Sequence, residues 1–479
     1  MIPVVGPEAM AAADARTIAA GTPEAVLMTR AGRAVAWRVR RALGGTYGRR
    51  IVALCGSGNN GGDARITAAA LRAWGAHVDE FAVTREGVTG ATDFARALGR
   101  ADAVVDGIVG TGFRGALEGA VGAVVVAVNT APVRRIAVDI ASGVDGATGE
   151  VRGAAVRAHE TVTFAAPKPG LWFHPGRARS GTVTVADIGI DLGPDAARVG
   201  LLTDADIGAL LPPRDPETHK WRTGVLVVGG SGGMTGAPLL AAHAAARLGA
   251  GIVIAALPGG AAERAGGTEI ITRRVAATDH ATIAAGAVDA ITADADRFGA
   301  VVLGPGLGRA PDTAALVAGL LGALIAPVVL DADGLVALGA DHTAVKSRTG
   351  GTVLTPHDGE FAALTGTRPG PDRIAAARGL AEVTGAVVLL KGPTTVVAHP
   401  DGRVRLNPTG TAGLATAGSG DVLSGMIGAF CARGMNPFDA ATVAAYVHGR
   451  AAERAGHTGF VATDLPALAA AALHDLEPR

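Results

Sequence analysis

The chain is poor in several residue types that mark particular classes of protein. Among its 479 residues are two cysteines, Cys55 and Cys431, one in each half. Neither lies at metal-site or redox-motif spacing, so a disulfide framework is disfavoured and a reducing cytoplasm is expected. Aromatic residues make up 3%, and the 71 glycines follow no Gly-X-Y period, which excludes collagen. The formal net charge is zero, so neither a nucleic-acid partner nor an anionic membrane surface is indicated.

Long apolar runs are also scarce. The longest uncharged run, residues 313–330, approaches the length of a membrane span but is split by Pro327. We expect a buried helix followed by a buried strand there. The first twenty residues lack a basic start and contain acidic residues, which disfavours a secretory signal. The sequence therefore predicts no membrane partner.

Lysine is rare, with four lysines against 39 arginines, and glutamine is absent. This composition indicates drift toward Ala, Gly and Arg. A lysine that persists in such a background is informative, because arginine cannot replace it as a compact point charge.

Short apolar runs alternate with Ala-rich helical stretches along the whole chain. This alternation predicts α/β domains with parallel sheets covered on both faces. Twelve strands are expected, at 51–55, 77–83, 103–109, 135–140, 160–166, 225–230, 251–257, 300–306, 327–333, 352–356, 386–392 and 395–399. The Pro-rich and charged stretch 210–220 separates two complete series, so we predict domains at 1–202 and 203–479.

A glycine-rich segment follows the first of these strands. GSGNNGGD, residues 56–63, satisfies G-x-G-x-x-G, which by itself indicates only an ordinary dinucleotide fold. Asn59, Asn60 and Asp63 are unusual there, because two amides and a carboxylate can ligate a cation or bind hydroxyls. Asp106, Asp139 and Ser142 lie at the ends of two further strands. The carboxyl ends of parallel strands face one crevice, so a ligand site is favoured over simple helix caps.

These segments, with DGIVGTGFRG and AAPKPG, resemble the NAD(P)HX epimerase family (the YjeF N-terminal domain type) over most of residues 1–200. NAD(P)HX is the hydrated form of NAD(P)H. The resemblance implies a Rossmann-like three-layer domain in which Asp139 contacts the damaged nicotinamide ring. It implies that Asn60, Asp106 and Ser142 bind K⁺, a hard cation that prefers oxygen ligands. It assigns the phosphates and ribose of the substrate to Asn59, Asn60, Gly61, Gly62, Asp63, Gly110, Thr111, Gly112, Phe113, Arg114, Gly115 and Ala116.

Inversion at the hydroxylated ring carbon requires a group that exchanges protons with the hydroxyl. We expect Asp139 to be that catalytic group, and Lys168 either assists it or is a solvated surface lysine. Ala64 and Ala141 replace the family's usual glycine and proline without removing a charged or ligating atom.

The second half contains the most specific segment, LNPTGTAGLATAGSGDVLSGMIGAF at 406–430. Small residues lead through Gly418, Ser419 and Gly420 to Asp421 and an apolar helix. Backbone N–H groups at such a helix start can bind an anion, and the aspartate can act as a general base beside a phosphoryl group. No G-x-x-x-x-G-K-[ST] motif occurs, which disfavours a P-loop NTPase.

The GSGD pattern resembles the ribokinase-like superfamily, and LGPGLG, VLDADGL, LTPHDGEF and LLKGPTTVV resemble its ADP/ATP-dependent NAD(P)HX dehydratases over nearly all of residues 215–450. The resemblance implies a ribokinase-like three-layer domain with Asp421 as the catalytic base. It implies that Ala237, Gly306, Gly308, His357 and Asp421 contact the hydrated cofactor. It assigns the nucleotide to Lys391, Gly392, Pro393, Thr394, Thr395 and Gly420.

Together the resemblances imply an epimerase and a dehydratase on one chain, with NAD(P)HX and ADP or ATP as ligands, K⁺ in the first domain and Mg²⁺ with the nucleotide in the second. Both domain types also imply a homo-oligomer. Two alternatives stay open: a ribokinase-like kinase for a small molecule such as a vitamin alcohol, and a first domain that is a silent binding or oligomerisation module.

Overall fold

The computed structural model describes residues 1–213, 217–264 and 269–477. Residues 214–216, in the predicted connecting stretch, lie outside the described residues. The chain divides into two compact units, Ile2–Val199 and Gly200–Arg479 with Met1. In the described residues no helix is long and apolar enough to cross a membrane.

The first unit alternates strands and helices. Its strands are β1 (Ile2–Pro3), β2 (Arg50–Cys55), β3 (His77–Thr84), β4 (Gly87–Val88), β5 (Ala103–Gly107), β6 (Arg134–Val138), β7 (Glu160–Phe164) and β8 (Thr182–Ala186). Its helices are α1 (Pro7–Ala19), α2 (Glu24–Leu43), α3 (Asn59–Ala73), α4 (Ala91–Leu98), α5 (Gly119–Thr130) and α6 (Arg177–Ser180).

The sheet of this unit has the order β4-β3-β2-β5-β6-β7-β8 and is parallel except for β4. Successive side chains of a strand point to opposite faces. Accordingly, Ile51 and Ala53 of β2 pack with α2 and α3, whereas Val52 and Leu54 pack with α4 and α5. The unit therefore has three layers, and its strand order reverses between β2 and β5.

The second unit repeats this alternation in a larger sheet. Its strands are β9 (Val199–Leu201), β10 (Gly224–Val228), β11 (Ile252–Pro258), β12 (Ile271–Val275), β13 (Ala300–Leu303), β14 (Val328–Leu330), β15 (Thr352–Leu354), β16 (Val387–Leu390), β17 (Thr395–Ala398) and β18 (Val404–Asn407). Its helices are α7 (Asp204–Leu210), α8 (Gly236–Arg247), α9 (Ala261–Arg264), α10 (Val288–Thr292), α11 (Pro311–Ala323), α12 (Asp333–Leu338), α13 (Thr343–Lys346), α14 (Asp358–Thr365), α15 (Arg373–Thr384), α16 (Ser419–Ala432), α17 (Pro437–Ala455) and α18 (Leu465–Leu476).

From β9 the strand order is β9-β18-β17-β16-β15-β14-β13-β10-β11-β12. The strands from β16 to β12 are parallel, and β17 pairs in the antiparallel direction with both β16 and β18. α8, α16, α17 and α18 form one apolar cluster with alternate strand residues such as Val225 and Val227. α11, α12 and α14 contact one another as a separate group. The order reverses between β10 and β13.

The α/β fold class predicted for both halves is confirmed, and each of the twelve expected runs contains a strand. The uncharged run 313–330 contains most of α11 and all of the buried strand β14, but α11 is only partly buried, with five of its 13 residues in the core. Several strands end two to three residues before their apolar run does. β13, for example, ends at Leu303, because Gly304 to Gly308 turn away from the sheet with positive φ at Gly304, Gly306 and Gly308.

Candidate active sites

The first unit has a cavity of about 540 Å³ at the carboxyl edge of its sheet, where the strand order reverses. Open α/β sheets bind ligands in this position. Asn59, Asn60, Asp63 and Asp139 line the cavity, and so does the segment Gly110–Phe113. The segment's remaining predicted residues, Arg114, Gly115 and Ala116, are not among the lining residues, and Arg114 lies 3.7 Å from Asp145 (Nε to Oδ2).

Tightly packed main chain at Gly56 and Gly61, which do not themselves line the cavity, forms a floor behind its lining residues. A Cβ atom at Gly56 would collide with the carbonyl of Ile108, and one at Gly61 would collide with the carbonyl of Gly56. The Gly56 N–H donates to the Gly107 carbonyl at 2.9 Å. The predicted phosphate turn is shorter than its sequence suggests, because Asn59 already begins α3 and brings Asp63 into the second turn of that helix.

Asp139 follows β6 and has a φ of 62°. Its Oδ1 accepts from Lys168 Nζ at 2.5 Å, Thr163 Oγ1 at 2.8 Å and the Phe164 N–H at 3.3 Å. Lys168 is 1% exposed, and its Nζ also donates to Thr163 Oγ1 and the Phe164 carbonyl. The surface alternative for Lys168 is therefore excluded, and the lysine is a buried partner of Asp139.

Asp63 is buried, and its Oδ1 has no hydrogen-bond partner in the described part of the chain. Burial, with the nearby charges of Asp139 and Asp14, raises the pKa of Asp63 to about 8. Asp14, on α1, lines the same cavity, and burial raises its pKa as well. With Glu24, which also lines it, the cavity thus has four carboxyl groups beside one lysine.

Asn60, Asp106 and Ser142 lie together beneath the cavity. Ser142 Oγ donates to Asp106 Oδ1 at 2.6 Å, and the Ser142 N–H donates to Oδ2 at 2.8 Å. Asn60 Nδ2 donates to the carbonyls of Val109 (3.1 Å) and Val138 (2.6 Å). Complete burial raises the pKa of Asp106 to about 6, although its hydrogen bonds to Ser142 and Ile108 oppose the shift. Asp106 and Ser142 are thus bonded directly, and Asn60 and Ser142 share the Val109 carbonyl as an acceptor.

The two departures from the epimerase pattern fit this environment. Ala64 and Ala141 are both fully buried in apolar clusters. A Cβ at Gly107 would meet the Ala64 methyl group, so alanine at position 64 depends on glycine at position 107.

In the second unit, α16 begins directly after Gly418, whose φ is 91°, and Asp421 lies in the first turn of this helix. Burial and the carboxylates of Asp331 and Glu360 raise the pKa of Asp421 to about 7, against the opposing charge of Lys391. At neutral pH the carboxyl is poised between its two protonation states, which suits a general base.

Lys391 follows β16, and its Nζ lies 3.0 Å from Asp331 Oδ1 and 3.3 Å from Glu360 Oε2. Burial would lower the pKa of Lys391, but these two carboxylates outweigh it and the pKa is raised. The Lys391 carbonyl accepts from Arg373 Nη2 at 2.7 Å. The predicted nucleotide residues Gly392, Pro393 and Thr394 form the turn from Lys391 to Thr395, the first residue of β17. A Cβ at Gly420 would lie 3.5 Å from Lys391 Nζ, which brings the GSGD and KGPTT segments together.

The remaining predicted residues follow neighbouring strands. Gly306 and Gly308 lie in the turn after β13, with φ of 64° and 80°. A Cβ at Gly306 would lie 3.3 Å from the Cβ of Ala237 on α8. His357 caps α14, since its Nδ1 accepts from the N–H groups of Gly359 (2.9 Å) and Glu360 (3.1 Å).

Two family models together match most of the chain. One described as NAD(P)H-hydrate dehydratase matches residues 225–474, and one described as YjeF-related protein N-terminus matches 24–98 and 84–170. The chain is 40% identical to the bifunctional NAD(P)H-hydrate repair enzyme of Moorella thermoacetica, over 92% of this chain and 91% of that protein. It is 43% identical to the protein of the same name from Mycobacterium leprae, over 91% of this chain and 90% of that one. The chain belongs to the family of bifunctional NAD(P)H-hydrate repair enzymes.

Solved structures resemble part of this chain. A hypothetical protein from Streptococcus mutans shares the fold, with 20% identity and a TM-score of 0.50, over 58% of this chain and 100% of that one. An ADP/ATP-dependent NAD(P)H-hydrate dehydratase from Bacillus subtilis, co-crystallised with ATP and Mg²⁺, is 32% identical over 57% of this chain and 98% of its own, with a TM-score of 0.49.

Sequence reasoning did not identify several residues in or near the two candidate sites, among them Glu24, which lines the first cavity, and Glu360, which contacts Lys391. Asp14 lies outside every motif, and only the fold brings α1 to the cavity. His448, on α17, is buried with no partner for Nε2 in the described residues. Burial lowers its pKa to about 4 despite a hydrogen bond with the Ser419 backbone, which places a neutral histidine beside the GSGD segment.

Proposed function

We propose that the chain repairs NAD(P)HX in two steps, with epimerisation of the R and S forms in the first unit and nucleotide-dependent dehydration of the S form in the second. The observation that carries the proposal is the Asp421 carboxyl, with a pKa near 7, beside Lys391 at the start of a glycine-rich helix. For the first step, the supporting observation is the cavity of the first unit, in which the Asp139 carboxyl is paired with Lys168.

In the first unit, the ring hydroxyl leaves when it is protonated, and the ring nitrogen supplies the electron pair that expels it. Asp139 contacts the ring, and its carboxylate stabilises the cationic ring that results. Lys168 and Thr163 hold this carboxylate in one orientation. The glycine floor lets substrate phosphates approach backbone N–H groups at the start of α3.

Asn60, Asp106 and Ser142 fit a monovalent cation. Their donor atoms are oxygens, and within the described residues the buried Asp106 carboxyl accepts from the Ile108 N–H and from Ser142, with no positively charged side chain among its partners. These residues would hold K⁺, which would supply positive charge to the site. Asp106 would then be ionised, because a cation in contact with a carboxyl lowers its pKa.

In the second unit, Asp421 takes the proton of the ring hydroxyl as the terminal phosphoryl group of ADP or ATP is transferred to the hydroxyl oxygen. Phosphate then leaves, and the ring nitrogen again supplies the electron pair. Lys391, Gly392, Pro393, Thr394, Thr395 and Gly420 bind the nucleotide, and Ala237, Gly306, Gly308 and His357 contact the hydrated cofactor.

The acidic residues near Lys391 fit Mg²⁺ held mainly by the nucleotide. No group of three or more His, Cys, Asp or Glu side chains in the described ranges is arranged to hold a metal by itself. Mg²⁺ usually takes one or two carboxylates together with phosphate oxygens and water. Asp331 and Glu360 can supply those carboxylates, and the metal neutralises charge on the transferred phosphoryl group.

We also propose a homo-oligomer in the cytoplasm. The two cysteines are free and buried, which suits a reducing compartment. Sedimentation of the purified chain measures the oligomeric state directly.

The test is recovery of NADH absorbance from a racemic NADHX mixture with ADP, Mg²⁺ and K⁺. We expect nearly complete recovery, faster than spontaneous epimerisation allows. D139N should recover only the S fraction quickly, and D421N should recover none. A rapid half recovery by the wild type would make the first unit a silent module, and no recovery with nucleotide still bound would favour a small-molecule kinase.

A further inference from the structure

Epimerisation by loss and return of water calls for proton transfer on both faces of the nicotinamide ring. Water leaves from one face of the nicotinamide ring and returns to the opposite face, so the departure needs a proton donor and the return needs a proton acceptor. The cavity of the first unit has more than one carboxyl group, and Asp63 and Asp139 differ in their hydrogen bonds.

We propose that Asp63 is a second catalytic residue of the epimerase, paired with Asp139 as a protonated and an ionised carboxyl on the two faces of the ring. This inference rests on the proposed epimerisation.

The hydrogen bonds separate the two carboxyls. Asp139 Oδ1 accepts from Lys168, Thr163 and the Phe164 N–H, and donors of this kind favour the ionised form. Asp63 is 6% exposed, lines the cavity, and has an Oδ1 without a partner in the part of the chain that the structure describes. A buried carboxyl without a donor favours the neutral form, which can donate a proton.

The negative charges around the cavity also favour the neutral form of Asp63. Asp14 on α1, Glu24 on α2 and Asp139 after β6 carry negative charge, and Lys168 after β7 carries the positive charge. Burial first, and then Asp139 and Asp14, raise the pKa of Asp63 to about 8. At pH 7 Asp63 is therefore mainly protonated.

The step balances with water as the only co-reactant. Asp63 gives its proton to the ring hydroxyl, the carbon–oxygen bond breaks with loss of water, and the nitrogen lone pair forms a carbon–nitrogen double bond. A water molecule then attacks the opposite face and gives a proton to Asp139. Reaction in the reverse direction, or exchange with solvent, returns the proton to Asp63.

The test measures conversion of purified R to S form between pH 6 and 9.5 with K⁺, for the full-length wild type, D63N and D14N. Wild-type kcat should fall as pH rises through about 8, because Asp63 loses its proton. D63N should be slower by 100-fold or more and lack this alkaline fall. D14N removes one charge that raises the pKa, so its alkaline fall should move to lower pH.

Dehydration of the S form by the same proteins serves as the control for folding, and D63N should retain it. Epimerisation by D63N within threefold of the wild type would overturn the inference, and so would a slow D63N with an unchanged alkaline fall, which indicates a structural role. A wild type that dehydrates the S form but does not epimerise would overturn the proposed first activity, and this inference with it.

Discussion

Ionisation of the Asp421 carboxyl should lower the stability of the folded second unit. In an unfolded chain its carboxyl ionises near pH 4, whereas in the folded protein it stays protonated up to about pH 7. Between these values the folded chain holds one more proton, so stability falls as pH rises. This loss of stability is absent below pH 4 and complete at pH 8.

The magnitude follows from the shift of about three pKa units, which corresponds to at most about 4 kcal/mol at 1.36 kcal/mol per unit. Because Asp421 is partly exposed, about half of that is a fair expectation, or ~2 kcal/mol. D421N carries no charge at any of these pH values. It should therefore stabilise the second unit by ~2 kcal/mol at pH 8, a rise of ~4–8 °C in Tm, and by much less at pH 5.

Thermal unfolding of D421N and the wild type at pH 5 and pH 8, followed by calorimetry, measures this difference. D312N is a matched control, since Asp312 is exposed in the first turn of α11. It should lower stability slightly, by about 0.5 kcal/mol, through loss of a favourable helix-dipole interaction, and should leave dehydration unchanged. D421N should lose dehydration by 100-fold or more. A D421N protein less stable than the wild type at pH 8, or a gain independent of pH, would refute the reasoning.

Three further changes test other parts of the two sites. K391M should weaken ADP binding at least tenfold, measured by calorimetry, and should destabilise the second unit by about 3 kcal/mol because Asp331 and Glu360 lose their buried partner; unchanged affinity would remove Lys391 from the nucleotide site. Epimerisation by the wild type should rise with K⁺ concentration, and D106N should abolish that response while dehydration continues; equal responses of the two proteins would exclude Asp106 as a ligand. G61A should abolish epimerisation and lower the stability of the first unit, because a methyl group collides with the Gly56 carbonyl, whereas G322A, on a helix position with open space around it, should leave both unchanged; a fully active G61A would mean that the floor of the cavity can move.

The sequence predicted the sheets well because buried parallel strands are continuous apolar runs. Strands that break this pattern were missed: β12 contains Arg273 and Arg274, and β18 contains Arg405. Both lie toward the outer parts of the sheet order, where solvent accommodates charged side chains, and neither shows the apolar signature.

Asp139 and Lys391 each directly follow a parallel strand, as expected from the rule that the carboxyl ends of parallel strands share an edge. The burial and protonation of the candidate residues did not follow from this rule. Lys168 reads as a surface lysine in AAPKPG, and only the packing of distant segments makes it a 1% exposed partner of Asp139. Likewise, the pKa of Asp63 depends on Asp14, which is 49 residues away in the chain and part of no motif.

The main-chain floor of the first cavity limits how this site can change. A Cβ at Gly56 or Gly61 would collide with a carbonyl group, so no side chain can be introduced at either position without moving the main chain behind the cavity lining. Variation in substrate preference must come from the walls, where side chains such as Met10, Leu27 and Phe164 line the cavity. Mutational libraries directed at these wall positions should yield altered specificity, whereas libraries directed at the glycines should yield only inactive protein.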